Sequence, residues 1–98
     1  MSTDQPDAQP TSLARTSKRI IKSIHSGERL QKRQIDIAEV EYALKHHTVE
    51  LPGRSPGTTR IICDMAFGRK LSVVFKEKEK VIILISAWWV GETDESES

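Results

Sequence analysis

His25, Arg29 and Arg33 recur at a spacing of four, which on a helix sets one imidazole and two guanidinium groups along a single ridge. That set suits phosphate chemistry. A guanidinium offers a planar fork that can make two parallel hydrogen bonds to a phosphate. An imidazole of ordinary pKa, about 6.5, gives or takes a proton near neutrality. If the ridge borders a sheet, His25 can act as acid or base while Arg29 and Arg33 stabilise phosphate charge. Arg60, Arg69 and Lys70 extend the candidate nucleic-acid-binding set into the strand region and its turn. Each residue also has a structural use: His25 as a bridge from helix to sheet, Arg29 and Arg33 in ion pairs with Glu28, Asp36 or Glu39, and Arg60 in a pair with Asp64.

Other chemistries find little support. The chain has no Gly-rich phosphate loop, nucleophile elbow or paired-cysteine metal site. The adjacent His46 and His47 cannot share one helical face, so neither a metal nor another cofactor is expected. The single Cys63 cannot form an internal disulfide, which fits a reducing cytoplasm. No apolar run approaches the roughly 20 residues needed to cross a bilayer, and Met1 to Pro10 carries no basic start or apolar stretch of a secretory signal. No membrane partner is expected.

The charge is unevenly placed. The formal net of +1 hides fifteen Lys and Arg residues confined between Arg15 and Lys80, against eight acids in the same body. That leaves the body at +7, with six acids in the tails. A basic body with acidic ends is compatible with a polyanionic partner, and equally with solubility alone.

With 98 residues, 37% apolar and 30% charged, the chain can build one small two-layer domain. Residues 1–11 are polar and Pro-containing, and residues 91–98 are acidic. Both are expected to be disordered tails around a single domain over 12–90. A first helix is expected from about Ser12 to Lys32, because Leu13, Ala14, Ile20, Ile21 and Ile24 share a sector of about 120°. Leu30 lies off that stripe, which suggests a bend or restart near Gly27. Asp36 and Glu39 form a capping-box signal for a second helix carrying Ile37, Val40, Ala43 and Leu44, and His46 and His47 close it. From Thr48 the period changes to two. Strands are expected at Thr48–Leu51, Arg60–Phe67, Lys70–Phe75 and Val81–Trp89, with a charged tip at Lys76–Glu79. Ile61, Cys63, Met65 and Phe67 should share one face. The last strand is apolar on both faces, as a central or doubly covered strand is. The expected fold is α+β: two N-terminal helices on one face of a mainly antiparallel four-stranded sheet. Trp88 and Trp89 should face opposite ways, one of them exposed. An exposed Trp, or the sheet edge, could dock a partner protein.

The segment His25-Ser26-Gly27-Glu28-Arg29-Leu30-Gln31-Lys32-Arg33-Gln34-Ile35 resembles the helix signature His-Ala-x-Glu-Arg-Met-x-x-Arg-x-Ile of a bacterial family, domain of unknown function 4258. The resemblance continues through the helix that starts at Asp36, then Gly68-Arg69-Lys70-Leu71-Ser72-Val73-Val74, and the strand Val81 to Ser86. It covers roughly residues 18–87. His25, Glu28, Arg29 and Arg33 stand at matched positions; Ser26 and Gly27 depart from the pattern. The family is distantly similar to the RelE and ParE type of toxin fold, whose members cleave messenger RNA or poison gyrase. The resemblance therefore implies a RelE-like fold, a possible ribonuclease acting on RNA or at the ribosome, and a cognate antitoxin as partner. At the level of fold alone such an analogy transmits no activity.

Overall fold

A computed structural model describes residues 14–91. The expected tail over 1–11, the start of the expected first helix, and all but the first residue of the expected acidic tail lie outside the described residues. The elements are β1 (Arg19–Lys22), α1 (Ile24–Lys32), α2 (Ile37–His46), β2 (Val49–Pro52), β3 (Thr59–Asp64), β4 (Lys70–Glu77) and β5 (Val81–Trp89). Single 3-10 turns lie at Arg15–Ser17 and Ala66–Gly68. The five strands form one sheet in the order β1-β5-β4-β3-β2. All neighbours are antiparallel except β1, which runs parallel to β5 with Arg19 opposite Val81 and Lys22 opposite Leu84.

The sheet thus has five strands rather than four, because the expected first helix is half strand. Ile20 and Ile21 are β-branched and favour extended backbone. In β1 they point to opposite faces: Ile20 packs against the core, while Ile21 is exposed. The helix begins only at Ser23, whose hydroxyl caps it by accepting the Ser26 N–H at 3.0 Å. The apolar stripe inferred over one long helix therefore does not exist. Ile24 is 83% exposed, and Leu30, which lay off that stripe, is 4% exposed and in the core.

Leu30 and Ile35 join Val40, Ala43 and Leu44 of α2 over one face of the sheet, against Ile61, Cys63, Leu71, Val73, Phe75, Leu84 and Trp89. Burying a side chain such as Phe75 or Leu71 stabilises the fold by about 1.5–3 kcal/mol. α2 starts as expected. The Glu39 carboxylate accepts the Asp36 N–H at 2.9 Å in a capping box. His47 ends the helix, with Nδ1 against the Ala43 carbonyl at 3.1 Å and Nε2 against Glu50 at 3.0 Å.

Two strand boundaries also differ from expectation. β3 stops at Asp64, and Ala66–Gly68 turns instead, with Phe67 and Gly68 both at left-handed φ, 62° and 74°. Phe67 consequently leaves the core face and is 99% exposed. β4 continues through Glu77, which pairs with Ile82 of β5, and its carboxylate is held by the N-terminal segment rather than sitting at a solvated tip. Arg15 donates from Nε to Glu77 at 3.0 Å and from Nη1 to Glu50 at 2.8 Å, and lies 5.1 Å over the Phe75 ring. Lys18, itself buried, donates to Glu77 at 2.8 Å and to the Lys78 carbonyl at 2.6 Å.

This network should tie stability to acid pH. The Arg15 hydrogen bond holds the Glu50 carboxyl down, at about 2, against an ordinary 4.5. Burial pushes Glu77 up, but the bonds from Lys18 and Arg15 outweigh it and leave that group below its ordinary value. Groups depressed on folding stabilise above their unfolded pKa and lose that contribution as pH falls through the folded value. Stability should therefore be level above 4.5 and decline towards about 2. Solvent screening keeps the half-exposed Glu50 share small. Urea midpoints measured across that range should fall less steeply in Glu77→Gln than in the parent chain.

Candidate nucleic-acid interface

α1 turns Ser26 and Leu30 inward, so the neighbouring ridge of His25, Arg29 and Arg33 lies at the border between packed and solvated sides. His25 is exposed, whereas Arg29 and Arg33 are half-buried. The buried face is anchored by Ser26. Its hydroxyl reaches the carbonyls of Leu84 at 3.2 Å and Ile85 at 3.3 Å. Those carbonyls belong to a bulge where Ile85 is the extra residue, since Val74 pairs with Ser86 but Phe75 pairs with Leu84. The serine that departs from the family signature thus docks α1 onto the irregular part of β5.

The far end of the ridge is fixed by the helix terminus. Gln34 sits at φ 58° and closes a Schellman motif: Gln34 N–H donates to the Gln31 carbonyl at 3.1 Å, and Ile35 N–H to Leu30 at 2.9 Å. Leu30 and Ile35 supply the apolar contact that accompanies this motif. Arg33, the last residue before the turn, donates from Nη1 to the Ala87 carbonyl at 2.8 Å. The Trp89 indole returns a hydrogen bond to the Arg33 carbonyl at 3.0 Å. On the ring of that same Trp89 lies the Arg69 guanidinium, 3.7 Å from the centroid. Arg33 and Arg69, 36 positions apart in the sequence, therefore flank one indole, and Arg29 stands one helical turn from Arg33. Arg29, Arg33 and Arg69 all engage further groups in the folded chain.

The remaining expected residues lie elsewhere. Arg60 projects from the sheet face opposite the helices, where its Nε donates to Ser72 Oγ at 2.9 Å and its guanidinium stacks 5.0 Å from the Trp88 ring. It shares no phosphate-sized space with the α1 ridge. Nor does it pair with Asp64: four residues along a strand span about 13 Å. Asp64 is instead bonded by its cross-strand partner Lys70. Both tryptophans are buried, Trp88 at 1% and Trp89 at 4%, so neither is the exposed docking residue expected of the pair. Trp89 is covered by the α1–α2 corner and Trp88 by Arg60. Cys63 is buried in the core, and burial pushes its thiol up, which disqualifies it as a nucleophile. Among the described residues no three His, Cys, Asp or Glu side chains converge as a metal site, and no helix is long and apolar enough to cross a membrane.

The geometry defines an α+β domain in which one helix carries a His–Arg–Arg ridge over the last strand. Residues 23–89, from the cap of α1 to the end of β5, match the family model described as Domain of unknown function (DUF4258), and the chain belongs to that family. No curated protein and no solved structure matches the chain. Sequence reasoning missed Ser26 and Trp89 as the parts that hold the ridge. The signal for Trp89 was its place on a strand apolar on both faces; Ser26 carried none, since the bulge it serves is invisible in sequence.

Proposed function

We propose that this chain is a RelE-like RNA-directed domain, and that the α1 ridge is its phosphate-engaging surface. The observation that carries this reading is the meeting of Arg33 and Arg69 at Trp89, with Arg29 one helical turn from Arg33 and His25 exposed on the same ridge. RNA phosphates would exchange with the groups these arginines already engage. Arg29 and Arg33 would hold the phosphodiester through charge-assisted hydrogen bonds, and Arg69 would add a third positive group from the β3–β4 turn. His25 would remove the proton from a ribose 2′-hydroxyl as its oxygen attacks the adjacent phosphorus. The phosphorus–O5′ bond breaks, a 2′,3′-cyclic phosphate forms, and the departing oxygen takes a proton from water. In this reading the chain is a cytoplasmic ribonuclease of a toxin–antitoxin pair. The RNA is free or ribosome-bound, and a cognate antitoxin neutralises the chain. The +7 body supports it by favouring encounter with a polyanion.

Salt titration of RNA binding tests the surface. Each phosphate contact to a single strand contributes about −0.7 to the slope of log affinity against log salt. Three arginines predict a slope near about −2, and Arg29→Gln with Arg69→Gln should bring it to about −0.7 while the far-ultraviolet spectrum stays unchanged. Binding that ignores salt, or a slope the double variant leaves intact, would contradict the assignment.

A further inference from the structure

The sheet face turned away from the helices holds a second group of polar side chains, independent of the α1 ridge. Register places Arg60 beside Val74 and Val74 beside Ser86, with Ile62, Ser72 and Trp88 in the next row. Ser72, Ser86 and Trp88 are buried although none of the described helices packs on this side. Arg60 lies across them, bonded to Ser72 and stacked on Trp88. Two buried polar atoms here, Ser86 Oγ and Trp88 Nε1, have no hydrogen-bond partner among the described residues. They belong to same-face positions two apart on β5. A buried polar group left unpaired costs about 1–3 kcal/mol, and such groups ask for a partner that the described residues do not supply.

We propose that this slot binds the carboxylate of a small organic acid with an apolar body. The donors fix the chemistry. An indole N–H and a guanidinium only donate, and the serine hydroxyl can donate too, so the ligand must accept. With its Nε committed to Ser72, Arg60 keeps both terminal nitrogens for a bidentate carboxylate. Its single positive charge matches a monoanion. A dianionic phosphate would leave excess negative charge beside Val74 and Ile62, where burial makes unpaired charge costly. The rim favours an apolar body, because Leu51 and Val49 stand exposed on β2 opposite Arg60 and Ile62.

The test uses the full chain labelled with nitrogen-15, whose two indole N–H resonances are assigned with Trp88→Phe. Benzoate and inorganic phosphate are titrated separately at matched ionic strength. Benzoate should shift the Trp88 resonance saturably and leave Trp89 in place, phosphate should move neither, and Arg60→Gln should weaken benzoate binding about tenfold or more. A Trp88 resonance indifferent to benzoate overturns the proposal. So does an equal response to phosphate, or undiminished affinity in Arg60→Gln. If Arg60→Gln does not fold, Ser86→Ala replaces it, with weaker benzoate binding expected and unchanged binding overturning the slot. None of these outcomes bears on RNA binding at α1, so the two readings fail separately.

Discussion

Trp89→Ala should cost about 3–5 kcal/mol of stability, the range for deleting a large aromatic side chain from a core. A domain of this size has roughly 4–12 kcal/mol in total, so the variant should lose about a quarter of it or more and unfold at a much lower urea concentration. The reason lies in how many elements meet at one ring. Trp89 is opposite Leu71 in the sheet, belongs to the core cluster, bonds the Arg33 carbonyl and carries the Arg69 guanidinium. Trp89→Phe separates these roles. It keeps most of the apolar contact and loses the hydrogen bond, which is worth about 1 kcal/mol net. Equilibrium urea unfolding followed by far-ultraviolet circular dichroism measures both variants. A Trp89→Ala midpoint close to that of the parent would mean the indole does not anchor the α1–α2 corner.

How far the sequence foretold this arrangement depended on whether a signal was local. α2 was legible because its start is written in adjacent residues: Asp36 and Glu39 form the capping box, and Val40, Ala43 and Leu44 follow at helical spacing. The span Val81–Trp89 was legible for the same reason. β1 was not. Its two isoleucines sit between Arg19 and Lys22, and Ile20, Ile21 and Ile24 also fit one helical sector, so periodicity could not separate the two states. A longer-range argument could have found it. A four-stranded meander leaves β5 at an edge, yet β5 is apolar on both faces and needs a neighbour; β1 is that neighbour. Phe67 was misplaced because the alternation was carried up to Gly68, whereas the turn already starts at Ala66. At the site, the spacing of His25, Arg29 and Arg33 was readable, but the approach of Arg69 was not. It depends on Trp89 bringing together the β3–β4 turn and the end of α1.

His25→Ala should lower RNA cleavage by about 10²–10⁴-fold, the usual contribution of a positioned general acid or base. Arg29→Ala should cost about 10²–10³-fold, as loss of a group aimed at developing charge does. The two differ in what else they disturb. His25 is exposed and supports no described packing, so its replacement should leave stability and salt-dependent RNA binding unchanged while removing turnover. Arg29→Ala should weaken binding as well. The assay that bears most directly on the account is cleavage of an end-labelled single-stranded RNA by the purified chain, with ribosomes present and absent. The parent chain should yield fragments ending in a 2′,3′-cyclic phosphate, and His25→Ala should bind the same RNA and leave it whole. RNA left intact by the parent under both conditions, or cut equally fast by His25→Ala, would contradict the assignment of phosphodiester chemistry to this helix.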